Sequence, residues 1–265
     1  MTLFALKLFL APGFLVAASL AARTFGARVA GTFGGLPVIA GPILLVLALE
    51  RGRVFAARAA SGNALGLVAL MAFVLTYAAV GRTRSWRWSL AASWLAFGAV
   101  TLVLVPVRLG PVASFAVACA ACALTLRMLP RPARQAPLER DHSRWDLPLR
   151  AACAAVPVLA VTAVAAPLGP HTSGLLAAFP IVVPVLAAFT QAQGGWEESV
   201  RLLRGFTVGF FAYGLFCFTV AETLERLGTV SSFALATALA LALQAGAVAV
   251  AVRHDAPINT EIAEG

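Results

Sequence analysis

The sequence predicts an all-α polytopic membrane protein with about nine transmembrane helices, arranged as an inverted 4+1+4 repeat. Three observations predict it: a composition short of charge, a series of continuously apolar runs, and a long-range self-similarity. Of 265 residues, 61% are hydrophobic and 12% charged, and the mean hydropathy is +0.90. A soluble domain carries about 25% charged residues, and half that charge cannot cover a globule of this size. Disorder is excluded too, because disordered chains are poor in apolar residues. At about 20 residues per crossing plus short loops, the chain has room for roughly eight to ten helices.

The runs lie at about 3–22, 29–49, 62–80, 88–107, 109–127, 150–169, 172–192, 204–223 and 229–252. Each is long enough, or nearly so, for a hydrocarbon layer about 30 Å thick. They are continuously apolar and do not alternate, so they read as helices and not as barrel strands. The first, with Lys7 ahead of its apolar part, has the outline of a signal peptide. A single lysine is a weak basic region and Arg23 and Arg28 follow the run, so it reads as an uncleaved first helix.

Nine crossings place the termini on opposite sides of the membrane, and the basic residues choose between the sides. With the N-terminus fall Lys7, Arg51, Arg53, Arg58, Arg108 and Arg226, six of the 20. The other fourteen, six of them between Arg127 and Arg150, fall on the opposite side. Cytoplasmic loops are enriched in Lys and Arg, so the expected topology is N-terminus out and C-terminus in, across the cell inner membrane. A net charge of +9 would suggest nucleic acid in a soluble protein. Here the basic residues are scattered over short loops, with no basic face, and no nucleic-acid partner is expected. Membrane lipids are the certain neighbours of such a chain, and a small-molecule substrate is the further partner. The oligomeric state is open.

Displacing the sequence by 143 residues (174 − 31) aligns its halves without gaps. Identities include Gly31/Gly174, Pro37/Pro180, Gly52/Gly195, Arg58/Arg201, Gly62/Gly205, Gly66/Gly209 and Phe73/Phe216. Residues 1–108 then form the first repeat with helices 1–4, and 149–253 the second with helices 6–9. Helix 5 and the Pro- and Arg-rich loop, 109–148, link them, and 254–265 is a polar tail. With one odd linking helix, the halves enter the membrane from opposite faces. A competing match pairs Arg108-Leu-Gly-Pro-Val-Ala-Ser-Phe-Ala with Arg226-Leu-Gly-Thr-Val-Ser-Ser-Phe-Ala, a displacement of 118 (226 − 108). It is locally stronger but shorter, and it would pair helix 5 with helix 9. The longer register is preferred because it holds over two helices and their loop.

The second half reads Gly174-Leu-Leu-Ala-Ala-Phe-Pro180, an apolar run, then Gln193-Gly-Gly-Trp-Glu-Glu-Ser-Val-Arg201. The first half has Gly35-Leu-Pro37, Glu50-Arg-Gly52 and Arg58. Each half resembles the GlpM-like small membrane proteins, so the chain looks like two fused copies. The resemblance implies about four helices per half, with a Gly-Leu…Phe-Pro element in the second and a Glu-Arg-Gly-type turn after it. The first half departs in lacking Phe before Pro37, and the second in having Gln193 where Glu50 stands. The resemblance implies a fold and names no substrate.

Pro37 and Pro42 in helix 2, and Pro180 and Pro184 in helix 7, remove backbone donors and crowd the preceding turn. In lipid such breaks are tolerated where they face protein or a wet cavity. Paired interrupted helices point to a transporter site, against the plainer reading of a harmless kink. Gly62-x-x-x-Gly66 and Gly205-x-x-x-Gly209 mark close helix contact, either with each other or with the broken helices. Arg58 and Arg201, placed in the loops before helices 3 and 8, would attract an anionic group from opposite faces; headgroup contact is the plainer reading. Glu50, Glu222 and Glu225 stand at helix ends, Gln193 occupies the place of Glu50, and His171 opens helix 7.

No Asp, Glu, Lys or Arg lies near the centre of a run. Gln244 is the most central strong polar group, with Thr76, Tyr77, Tyr213 and Thr219 at similar depth. An intramembrane charge would mark a functional site by default, and its absence favours an amphipathic or weakly polar cargo over a compact ion. Cys119-x-x-Cys122 has redox spacing but lies in an apolar helix, so packing thiols are expected. No nucleotide loop, zinc motif or nucleophile triad occurs. The expectation is therefore a secondary transporter or flippase, not an enzyme, without metal or cofactor. Its substrate-binding candidates are Pro37, Pro180, Arg58, Arg201, Glu50, Gln193, Tyr77 and Tyr213. The alternative class is a non-transporting scaffold or assembly factor of an envelope complex.

Overall fold

A computed structural model describes residues 31–132 and 170–255, apart from positions 33, 36, 38, 39, 179 and 181. The apolar runs 3–22 and 150–169, Lys7, Cys153, the middle of the polar loop and the C-terminal tail lie outside the described residues. Those described are helical, with no strand among them. The elements are α1 (Ala40–Arg51), α2 (Arg53–Gly81), α3 (Trp86–Leu104), α4 (Pro111–Met128), α5 (Pro170–Ala177), α6 (Val182–Leu227) and α7 (Thr229–Asp255). A helical turn at 31–35 precedes α1.

Among the described residues five helices are long and apolar enough to cross a membrane: α2, α3, α4, α6 and the part of α7 from Thr229 to Ala249. The nine runs of the sequence therefore do not translate into nine continuous helices. The runs 29–49 and 172–192 are each interrupted. Pro37 lies outside any helix between the helical turn at 31–35 and α1, and Pro180 likewise between α5 and α6. Pro37 and Pro180 stand in the breaks, where neither has a helical hydrogen bond to forfeit. Pro42 and Pro184 fall in the first turns of α1 and α6, where a missing N–H is tolerated.

α6 is two arms joined at Gly195, 182–194 and 196–227. Gly195 has φ 80° and ψ 178°, and Gly52, between α1 and α2, has φ 88° and ψ 165°. A positive φ with ψ near 180° is open essentially to glycine alone, so both hairpins depend on this residue type. The long helices also outrun their apolar cores. α2 begins at Arg53, not at 62, and the second arm of α6 begins at 196, not at 204. Arg58 and Arg201 consequently lie on helices and not in the loops assigned to them. A long basic side chain can be carried outward along its own stem from a helix end, which a reading based on hydropathy takes for the end of the helix.

Burial divides the helices into two classes. The most apolar window of α2 is 67% buried and that of α6 72%, against 22% each for α3, α4 and α7. α2 and α6 are the centre and the other three are the rim. α2 owes its burial to small residues, with Ala56, Ala57, Ala59, Ala60, Gly62, Ala64 and Gly66 all enclosed. In lipid, helices associate by close packing and not by apolarity as such.

The rim helices show the complementary pattern. α3 turns Ser89, Ser93, Phe97 and Thr101 inward, α4 turns Ser114, Ala118, Cys122 and Thr125 inward, and α7 turns Ser232, Ala236, Ala240 and Gln244 inward. Leu95, Leu102, Val103, Val117, Leu124, Leu235, Leu239 and Leu243 face outward. Small and polar groups meet the centre while branched apolar ones cover the perimeter, the arrangement a lipid solvent favours.

Candidate functional site

The two broken segments are seated on the two long helices, each by glycine. Gly31 and Gly35 lie against the second arm of α6 at Leu202, Gly205 and Gly209, with the Phe206 ring across Gly34. Gly174 of α5 abuts the Ala59 carbonyl of α2, and a Cβ at Gly62 would stand 2.6 Å from the His171 carbonyl oxygen. One at Gly66 would stand 2.6 Å from the Ala178 Cβ and 3.1 Å from the Leu175 carbonyl oxygen. Of the two partners expected for the GxxxG pairs, the structure selects the broken segments.

α2 and the second arm of α6 run antiparallel, as two contacts fix. The Trp196 indole N–H donates to the Ala78 carbonyl at 2.8 Å, and the Tyr213 hydroxyl donates to Asn63 Oδ1 at 2.9 Å. Asn63 is 0% exposed and Tyr213 8%. At about 1.5 Å per residue, Asn63 lies roughly 6 Å from the middle of α2, and Tyr213 lies within a few ångström of the middle of its arm. Asn63 adjoins Gly62 and is one turn from Gly66, where α5 is seated. Tyr213 is one turn from Gly209, where the 31–35 turn is seated. The pair thus lies, along the helix axes, within one turn of both seats. Its second donor, Asn63 Nδ2, has no hydrogen-bond partner. Leaving such a buried group unpaired costs about 1–3 kcal/mol.

Gln244, the central polar group of α7, donates its amide N–H to the Thr32 carbonyl, tying the rim to the first broken segment. Its Oε1 is buried without a partner. His171 is buried, with Nε2 3.3 Å from the Leu104 carbonyl at the end of α3. A further polar group of contacts closes the C-terminal end of α2. Gln191 Nε2 donates to the Gly81 and Arg84 carbonyls at 3.3 Å each, beside the Trp196 bond to Ala78. The last carbonyls of a helix have no partner within it, and the hairpin around Gly195 supplies them. Arg204 does the same for α4, donating to the Leu126, Leu129 and Pro130 carbonyls at 3.0, 2.7 and 3.4 Å.

The substrate-binding candidates divide accordingly. Pro37, half-buried, and Pro180, buried, stand in the breaks. Tyr213 is at the centre. Tyr77 is fully buried with its hydroxyl unpartnered, its ring 6.1 Å from that of Phe73, and it lies toward the opposite end of α2 from Asn63. Arg201 is bound by Glu198 and lies 3.8 Å from Glu197, so local carboxylates answer its charge. Arg58, Glu50 and Gln193 are exposed toward the helix ends. Thr219 is occupied by the Leu215 carbonyl at 2.8 Å, Thr76 and Glu222 are half-buried, and Glu225 is exposed. Cys119, Cys122 and Cys217 are free thiols. No cluster of three or more His, Cys, Asp or Glu able to hold a metal occurs among the described residues.

Asn63, Gln191, Trp196 and Arg204 were not foreseen. Asn63 was hidden by the trimmed start of α2, which put it at the membrane face. The only signal able to find it is that Gly52, and not Gly62, is the glycine aligned with the Gly195 hairpin. Comparison of the chain with family models, curated proteins and solved structures finds no match.

Proposed function

We propose that this chain is an inner-membrane secondary transporter or flippase of two inverted, GlpM-like halves. Its cargo is a small amphipathic or anionic metabolite, or a lipid-linked group, passing between the broken segments. The observation that carries the reading is the reciprocal seating of those segments. Gly31 meets Leu202 while Gly174 meets Ala59, and Gly209 meets Thr32 while Gly66 meets Leu175. Adding 143 to 31, 59, 32 and 66 gives 174, 202, 175 and 209, so each contact exchanges with the other under the repeat.

The Gly52 and Gly195 hairpins exchange in the same way, and the antiparallel long helices suit inverted halves. The inward faces of α3 and α7 also match at this displacement, Ser89 with Ser232 and Thr101 with Gln244. Those of α4 and α7 match at 118, Ser114 with Ser232 and Cys122 with Ala240, so the rim does not choose between registers. The glycine turns and reciprocal seats favour 143. Interrupted helices at a repeat interface are where transporters of this architecture bind cargo, and here the breaks rest on protein, as freed backbone groups in a membrane require. The fourteen-to-six division of basic residues orients the N-terminus out and the C-terminus in.

The test is flux in proteoliposomes holding the purified full-length protein, offered radiolabelled small organic anions and fluorescent-headed lipids. The expected result is movement of at least one probe, reduced tenfold or more by Pro180→Ala combined with Arg201→Ala at equal incorporation. Flux indifferent to that double substitution removes the broken segments from the mechanism. Absence of any flux, with a stably co-purifying protein, identifies the scaffold class instead.

A further inference from the structure

We infer that the Asn63–Tyr213 pair is the binding point for an uncharged hydrogen-bonding head group, a carbonyl, amide or hydroxyl, of an amphipathic ligand. The inference rests on the transporter reading and narrows its cargo from amphipathic or anionic to neutral at the polar end. Asn63 is wholly enclosed, yet its Nδ2 points no hydrogen at any acceptor. The Tyr213 hydroxyl spends its hydrogen on Asn63 Oδ1 and keeps oxygen lone pairs free to accept. One donor and one acceptor therefore stand close together near mid-depth, within one turn of the glycines that seat the broken segments. That combination fits a primary amide or an alcohol, each of which both donates and accepts.

The surroundings argue against an ion. Gln244, the strong polar side chain tied to the first broken segment, presents a neutral amide oxygen. The described arginines and carboxylates lie toward helix ends and in turns, and Arg201 is engaged by Glu198. A charge brought to mid-depth without a counter-charge is strongly disfavoured. Helix N-termini at the breaks are the natural rivals for an anion, and each has lost one donor of its first turn to proline. At α1 that residue is Pro42, and the Gly41 N–H is taken by the Pro37 carbonyl at 2.8 Å; at α6 it is Pro184.

The matched probes are hexanamide and hexanoate at pH 8, equal in chain and differing in head charge, titrated against the full-length protein in nanodiscs by calorimetry. Expected is saturable hexanamide binding, with hexanoate at least tenfold weaker. Asn63→Leu should weaken hexanamide tenfold or more. Tyr213→Phe, which removes one oxygen and no volume of consequence, should weaken it several-fold and serves if Asn63→Leu does not fold. No saturable hexanamide binding, equal binding of hexanoate, or indifference to Tyr213→Phe overturns the inference. The two readings fail separately. Saturable, Asn63-dependent binding in a protein that moves nothing removes the transporter and leaves the site. Flux of a charged probe that ignores Asn63→Leu removes the site and leaves the transporter.

Discussion

Arg204 shows what a single side chain contributes to this fold. Its guanidinium reaches from α6 to three carbonyls at the end of α4, where backbone acceptors have no helical partner and a cation suits the negative end of the helix dipole. Arg204→Ala should lower stability by about 1–3 kcal/mol, the usual worth of hydrogen bonds to a charged donor. Arg204→Lys should recover only part, since the shorter lysine stem sets its ammonium back from the carbonyls that Nη1 reaches; thermal unfolding in detergent reads both. In the sequence Arg204 was one of fourteen basic residues counted for orientation. Asn63 was still less visible. A neutral side chain five residues after Arg58 reads as interfacial, because hydropathy measures a segment and not the partner that encloses it. Tyr77 and Tyr213 were legible by depth, though depth did not say that Tyr213 has Asn63 across from it and Tyr77 has an aromatic neighbour.

Among the elements, the second arm of α6 and the 31–35 turn form one of the two closest glycine junctions, beside that of α5 on α2. A methyl at Gly209 would overlap the Thr32 carbonyl and approach the Gly35 Cα within 2.8 Å, whereas Gly246 of α7 has nothing within 4 Å. Gly209→Leu should therefore cost about 1–3 kcal/mol or more, as overpacking does. Gly246→Ala should be neutral or stabilise by up to about 1 kcal/mol, through helix propensity alone. Unfolding transitions of the two variants measured side by side test the contrast; equal shifts would mean that the turn is not seated there. The GxxxG spacing made these glycines conspicuous in the sequence. Their partners stayed ambiguous because spacing describes one helix face only. Pro37 and Pro180 were read correctly as interruptions, while Pro42 and Pro184 were read as two more, since the residue at which a helix restarts is not written in the apolar run around it.

For the whole molecule, the proposed nine crossings place Met1 and Gly265 on opposite faces. Tags at the two ends, probed in inverted and right-side-out vesicles, should be protected in opposite preparations. Tags accessible in the same preparation would sink the nine-crossing count and the inverted relation together. The contacts behind that proposal are long-range: the 31–35 turn rests on the second arm of α6, and α5 rests on α2.

The sequence by itself determined that the chain is helical, apolar and built to meet lipid. Those are properties of each segment alone: an unbroken apolar run in hydrocarbon must satisfy its own backbone, and only the helix does so within one segment. It also marked Pro37 and Pro180 as interruptions, but could not separate them from Pro42 and Pro184, which fall inside helices. The tertiary structure alone decided which faces are central, which glycines touch, and that Asn63 and Tyr213 share a hydrogen bond at mid-depth. In lipid, apolarity does not distinguish the inside of a bundle from its outside. Shape and a few hydrogen bonds choose between the faces, and both depend on residues about 150 positions apart in the chain (213 − 63).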